Sequence, residues 1–355
     1  MIYPALLTLA LLWGQSLPPP LPAARPLAQS QTVQSQITQS QTAQSQTAEV
    51  QPSRILPVSR VYAGAVAFSP DGQWLVTGNG EGVIQWWPVR VGGSSGPHLR
   101  LPGAVTALTF SPGGRRLAAI GGDGRVRVWD AGSRALLLTL DPQSYYVTAL
   151  AFSPDGRVLA TAGGDTTRQP SSANSVKLWN LDSGRVQGSL RGHGDVVTAL
   201  AFDPSGRTLA SGSWDRTVRL WDVTRQLPLR VLSGHQDDVS AVTFSPDGQT
   251  LASGSVDGDV RLWNAPDGGG RGELKVGGAA ATALAFAPDG SRLAAGAGDG
   301  RVLLWSVSGG GLLATLRGHT DSVSALAFSP DGAAVTAAGG RDRRVLLWSL
   351  PSKLR

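Results

Sequence analysis

The chain has 355 residues, 41% of them hydrophobic and only 16% charged, with 46 Gly, 23 Pro, 11 Trp and no cysteine. That much apolar surface excludes wholesale disorder, and the Gly and Pro content excludes a mainly helical protein. The missing cysteines exclude disulfides, zinc–thiolate sites, iron–sulfur clusters and a Cys nucleophile, while a formal charge of +6, carried almost wholly by Arg, admits a polyanionic partner without specifying one.

In chain order, residues 1–28 come first. No charged side chain occurs from Ile2 to Leu17, and Ala5–Trp13 is almost entirely apolar. The run is shorter than the ~20 residues of a membrane span but suits the apolar region of a secretory signal. Ala23, Ala24 and Ala28 supply small residues for cleavage, although no Lys or Arg precedes the run. The expectation is export to a periplasmic or extracellular compartment, with membrane attachment only through an uncleaved N-terminal segment. Residues 29–53 follow, opening with four pentapeptides of the type Gln39-Ser-Gln-Thr-Ala43. Gln, Ser and Thr offer no apolar face at helical or strand period, so this segment is expected to be a disordered linker.

From residue 54 onward the chain is a repeat array. Aligned on the Phe of Ala-Phe-Ser-Pro-Asp-Gly, copies fall at Phe68, Phe110, Phe152, Phe202, Phe244, Phe286 and Phe328, at spacings of 42, 42, 50, 42, 42 and 42. A tryptophan follows 19 residues later in most copies, as in Trp221 and Trp263. Within a copy the apolar period is two, as in Val197-Thr-Ala-Leu-Ala-Phe202, and Ser153-Pro-Asp-Gly156 is a hairpin-turn signature. Four short strands per copy cannot bury both faces alone; stacked radially, they bury one another.

Phe202-Asp-Pro-Ser-Gly, Leu209-Ala-Ser-Gly-Ser-Trp-Asp215, Val218-Arg-Leu-Trp-Asp222 and Ser233-Gly-His235 resemble the WD40 repeat, and the pattern covers residues 54–350. The resemblance implies an all-β fold, a seven-bladed β-propeller of four-stranded blades, spanning 54–355. It also implies a rigid interaction platform without catalytic activity. The chain ends just after the third strand of the last copy. Leu140, Leu190, Leu232, Leu274 and Leu316 stand twelve residues before a repeat Phe, and the same offset before Phe68 gives Leu56. Residues 54–59 are therefore expected to complete the C-terminal blade and hide its edge.

Two copies contain a Ser–His–Asp set: His193, Ser211, Asp215 with Trp221, and His235, Ser253, Asp257 with Trp263. A nucleophile must be exposed beside an oxyanion site. The resemblance instead implies buried structural tetrads, with Ser213 left open as an alternative to Ser211. The last copy has His319, Asp342 and Trp348 but Ala337 at the Ser position. The copies at Asp123 and Asp299 lack the His, and are expected to rely on apolar packing. No catalytic residue, metal ligand set or cofactor site is read from the chain; Asp257-Gly-Asp259 lacks the ligand spacing of a calcium loop. The lone non-repeat histidine, His98, is placed in an irregular outer strand.

Arg127, Lys177, Arg219 and Arg261 stand two residues before the repeat Trp and recur evenly. Their stems are expected to cover apolar blade surface. The alternative, a surface for nucleic acid, anionic polysaccharide or lipid headgroups, would need them clustered, and nucleic acid is not the expected partner. Departures from the repeat point elsewhere. Eight extra residues fall in 165–175, containing Arg168; Tyr145 and Tyr146 replace Asp195 and Val196; Trp214 replaces Gly122, Val256 and Gly298; Tyr62 and Arg341 hold comparable rim positions. Aromatic residues of this kind are the ones enriched at binding hot spots. The reading is a monomeric, non-enzymatic scaffold that binds a protein or peptide through Tyr62, Tyr145, Tyr146, Arg168, Trp214 and Arg341.

Overall fold

The computed structural model describes residues 47–58, 61–90, 95–144, 146–164 and 174–354. The expected signal, residues 1–28, lies outside them. Seven antiparallel sheets, numbered here as blades 1 to 7, cover residues 63–100, 107–140, 146–191, 197–232, 239–275, 281–316 and 323–349. Blade 4 shows how the sequence builds one. Its strands Val197–Phe202, Thr208–Ser213, Val218–Asp222 and Leu227–Leu232 pair in chain order, each antiparallel to the last. Small residues fill the second strand because the next blade presses on it: a Cβ on Gly212 would stand 2.6 Å from Val239 Cγ1 of blade 5. Between first and second strands the Ser-Pro-Asp-Gly turns close tightly. In blade 3, Gly156 takes φ 68° and donates its N–H to Ser153 O at 2.8 Å. The apolar cores lie between sheets; one runs from Val218 and Leu232 of blade 4 to Phe244, Leu251 and Trp263 of blade 5.

The ring closes as the repeat register requires. Arg54–Pro57 pairs antiparallel with Arg344–Ser349, placing Leu56 opposite Val345 as Leu232 stands opposite Val218. Leu56 is buried in a core with Phe68 and Leu75 of blade 1. His98 opens the short outer strand His98–Arg100 of blade 1, and Leu99, not His98, sits opposite Ile84. The Leu position is filled there one residue late.

Of the expected 29–53 linker, residues 29–46 lie outside the described residues, and the part that is described is ordered. Ala48–Val50, inside the 29–53 segment, forms a strand parallel to Leu312–Leu316 and gives blade 6 a fifth member. Ala48 and Val50 carry apolar side chains to the core of blades 6 and 7, and Glu49 pairs with Arg317 at 2.8 Å. The Gln/Ser/Thr repeat therefore ends where alternating apolar residues resume. Residues 47–57 form a strap across the outer edges of two blades.

A ring of hydroxyls ties the inner strands together. Four residues before the repeat Phe stand Thr148, Thr198, Ser240, Thr282 and Ser324. Their hydroxyls donate to Val197 O, Val239 O, Ala281 O, Val323 O and Ala63 O of the following blade. In blade 1 the position is Gly64, where a Cβ would stand 2.4 Å from Val105 O. Packing there is too close for a side chain. These hydroxyls recur at one repeat position, and their role follows from the backbone carbonyl that lies beside each.

Candidate functional site

The Ser–His–Asp sets are buried networks. His193 Nδ1 stands 2.8 Å from Asp215 Oδ2 and its Nε2 2.7 Å from Ser211 Oγ, which also accepts the Trp221 indole N–H at 2.8 Å. Blade 5 repeats this with His235, Asp257, Ser253 and Trp263 at 3.0, 2.8 and 2.8 Å. The hydroxyl is thus Ser211; Ser213 instead donates to Asp195 O. Ser211 and Ser253 have no exposed surface, so no substrate reaches them. In blade 7, His319 pairs with Asp342 at 2.6 Å, while its Nε2 faces Ala337 O and the Trp348 indole donates to Arg317 O.

Each network fixes charge as well as shape. Burial works to raise the Asp215 pKa, but the hydrogen bond and charge of His193, with Thr217 and the Gly194 N–H, hold it well below the usual carboxylate range. Burial pushes the His235 pKa down against the opposing pull of Asp257. Blades lacking the His are not left to apolar packing, as expected from sequence. Asp123 pairs with Arg127 at 2.6 Å and Asp299 with Arg301 at 2.7 Å. The guanidinium substitutes for the imidazole on the same turn carboxylate.

Most of the evenly spaced cations are likewise engaged near their blades, but Arg219 makes no ion pair among the described residues and its Nε is buried without a partner. Arg261 reaches Glu273 at 2.7 Å, Lys177 donates to Pro142 O, and Arg219 lies against Gly192. The central channel, a cavity of about 540 Å³, is lined by Val66, Leu108, Leu150, Leu200, Val242, Leu284 and Leu326 among other small or apolar residues. Its lining carries no carboxylate, imidazole or cation.

The loops entering the inner strands and the turns between second and third strands share one face, because they bond to each other. Trp214 N donates to Val196 O, Gly80 N to Tyr62 O, Val256 N to Asp238 O and Gly340 N to Ser322 O, at 2.9–3.0 Å. Tyr145 and Arg168 lie outside the described residues. The other four expected binding residues fall into two sectors. Tyr146, 43% exposed, and half-buried Trp214 belong to neighbouring blades 3 and 4. Arg341 and Tyr62 flank the junction of blades 7 and 1, where Ala63 N donates to Gly340 O and Arg341 N to Asp321 Oδ2. Tyr62 is half-buried over Gly80, and burial raises its phenol pKa.

Sequence reading missed what lies beside Tyr146 and Trp214. Val256 of blade 5, read from sequence as an ordinary occupant of the Trp214 position, is also exposed and adds apolar surface on this face. Asp195, Asp237 and Asp238 occupy the intervening loops closely enough to repel. Burial, then Asp237 and Asp195, push the Asp238 pKa up to about 6, with Arg216 opposing. A carboxyl whose folded pKa is raised favours the folded state at low pH and loses that advantage as pH rises from its ordinary 3.8 through about 6. Asp238→Asn should therefore raise the melting temperature at pH 7.5 and leave it unchanged below the ordinary Asp value. Equal melting of both proteins at pH 7.5 would remove the carboxylate crowding from the account.

A closed ring of seven antiparallel sheets, with buried polar networks and an apolar channel, defines a propeller-type platform. The chain belongs to the family described as WD domain, G-beta repeat, which it matches at residues 58–88, 96–130, 134–180, 184–222, 226–264, 274–306 and 310–349. Propellers of this family generally mediate protein interactions and are typically non-enzymatic scaffolds. No curated protein matches the chain.

Proposed function

We propose that this protein is a non-enzymatic scaffold that binds an extended segment of a partner protein across blades 3 to 5. The observation that carries the reading is the apolar strip of Tyr146, Trp214 and Val256 bordered by Asp195, Asp237 and Asp238. Aromatic anchors supply contact area at low entropic cost, and crowded carboxylates gain from an incoming cation. The partner segment accordingly alternates apolar with basic residues. A polyanion would meet repulsion on this face, and Arg127, Lys177 and Arg261 already have partners within the fold.

The test is an array of basic–apolar and acidic–apolar peptides, followed by titration of the best binder against parent and Tyr146→Ala/Trp214→Ala. Hot-spot truncations cost about 2 kcal/mol each, so the double variant should lose roughly a hundredfold or more in affinity. Unchanged affinity, or a preference for acidic peptides, would refute the site. The same scaffold is proposed to work after export, on the sequence of residues 1–28. Cell fractionation should find the chain outside the cytoplasm; a wholly cytoplasmic, unprocessed chain would contradict it.

A further inference from the structure

On the opposite face, three neighbouring blades depart together from the repeat. Five residues after the repeat Phe, blades 2, 3 and 4 carry Arg115, Arg157 and Arg207, where the others have Gln73, Gln249, Ser291 and Ala333. Between the third strand and the start of the fourth, the same three blades place Arg134, Arg185 and Arg225. In blade 6 the corresponding residues 307–311 hold no cation, and in blade 5 Arg271 is spent on Thr250 Oγ1 at 2.6 Å. Backbone hydrogen bonds hold the two turns of each blade together. Ala131 N donates to Arg115 O, Leu181 N to Arg157 O and Val223 N to Arg207 O, at 2.8–2.9 Å. All six arginines are exposed.

Each arginine pair borders exposed aliphatic surface. The outer strands leave these turns with Leu136, Leu137, Val186, Leu227 and Leu229, each about half exposed. The outer strand of blade 5, Gly270–Lys275, shows no exposed large apolar residue, and Leu312 of blade 6 has no arginine beside it in sequence. The acids of the three blades are drawn into their own turns. Asp130 accepts from Ser133, Asp155 from Ser153 and the Arg157 N–H, and Asp203 from the Thr208 N–H, while Asp182 pairs with Arg116. Of the six arginines only Arg225 has a carboxylate within reach among the described residues, Asp222 at 3.8 Å.

We propose that this arc of blades 2 to 4 is a docking surface for an anionic lipid bilayer. Guanidinium forks bind lipid phosphates, and the aliphatic side chains beside them enter the acyl boundary. A nucleic acid or an acidic polysaccharide would use the cations, but such ligands are gripped by aromatic stacking and polar edges, and exposed aliphatics give them nothing. A folded acidic protein would need the apolar surface gathered into one central patch, whereas here each blade carries its own small cluster. A fluid bilayer takes separated side chains one at a time. Docking in this way turns the peptide-binding face away from the lipid, so both surfaces are usable at once. The contact is separate from any made by residues 1–28, and it does not rest on the peptide reading.

The full chain has no cysteine, so Leu227→Cys supplies the only thiol for an environment-sensitive fluorophore. Ser308→Cys, exposed on the corresponding turn of blade 6, supplies the control. Each labelled protein is titrated with phosphatidylcholine vesicles, with and without phosphatidylglycerol, and with heparin. The label at 227 should shift to the blue only when phosphatidylglycerol is present, and the label at 308 should not shift. Arg115→Gln/Arg157→Gln/Arg207→Gln installs the residue that blades 1 and 5 use, and should melt like the parent. Near an anionic bilayer each arginine counts for about fivefold, so this variant should need roughly a hundredfold more lipid. No shift at 227, an equal shift at 308 or without phosphatidylglycerol, or an unchanged titration by the arginine variant would overturn the proposal. A shift with heparin as large as with vesicles would overturn it in favour of a soluble polyanion.

Discussion

Removal of residues 1–57 is expected to cost at least about 5 kcal/mol, a third or more of the net stability of an ordinary domain. Three losses add. Leu56 leaves a core it shares with Phe68 and Leu75, and loss of a buried Leu alone costs about 2–5 kcal/mol. Ala48 and Val50 leave the core between blades 6 and 7. The backbone of Arg344–Ser349 becomes an unpaired sheet edge beside an open ring, and such edges recruit other chains. The truncated protein should melt far below the parent and associate, and a synthetic peptide of residues 47–58 added in trans should restore much of the loss. Identical melting of truncated and full-length chains would show that the strap contributes nothing.

Asp257→Ala should be the most damaging single polar substitution in the ring, at about 3–5 kcal/mol by urea denaturation. Asp257 accepts from His235 Nδ1, Gln236 N and Asp259 N at 3.0, 2.8 and 2.9 Å. Without it the imidazole keeps a buried N–H with no acceptor, and it cannot escape by ionising, because burial already depresses its pKa. The same depression sets a pH dependence. The unfolded chain protonates this histidine at its ordinary 6.5 while the folded chain resists, so stability is complete above that value and falls as pH drops below it. Asp299→Ala is the contrast: the Asp299 carboxylate is itself exposed, and exposed pairs are worth less than about 1 kcal/mol. Equal costs for the two substitutions would deny the buried networks their structural role.

The fold was legible because it is written seven times. Phe-to-Trp spacing, period-two alternation and Ser-Pro-Asp-Gly turns each repeat, and the offset of Leu56 announces the closing strand before any coordinates. What stayed hidden depends on neighbours remote in sequence. Asp123 and Asp299 read as orphaned carboxylates until Arg127 and Arg301 are seen to reach them. Ala48–Val50 reads as the tail of a polar tract because its partner strand lies some 260 residues away. The binding residues were legible only as departures from the repeat. Trp214 and Tyr146 stood out, yet the acids between them looked like ordinary loop residues. Arg115 and Arg134 belong to different turns and gave no sign of sharing a face.

Ring closure by the strap is tested most directly by a covalent link that only the closed ring permits. Ser53 Oγ and Ser349 Oγ lie 3.1 Å apart although 296 residues separate them, and both are exposed. The chain has no cysteine, so Ser53→Cys/Ser349→Cys carries the only two thiols. Mild oxidation should convert monomer quantitatively to an internal disulfide, with both thiols lost, faster migration on a non-reducing gel and a higher melting temperature. Loop entropy for so long a closure amounts to about 5 kcal/mol. Two free thiols persisting in folded monomer, or cross-links only between molecules, would contradict the closed propeller.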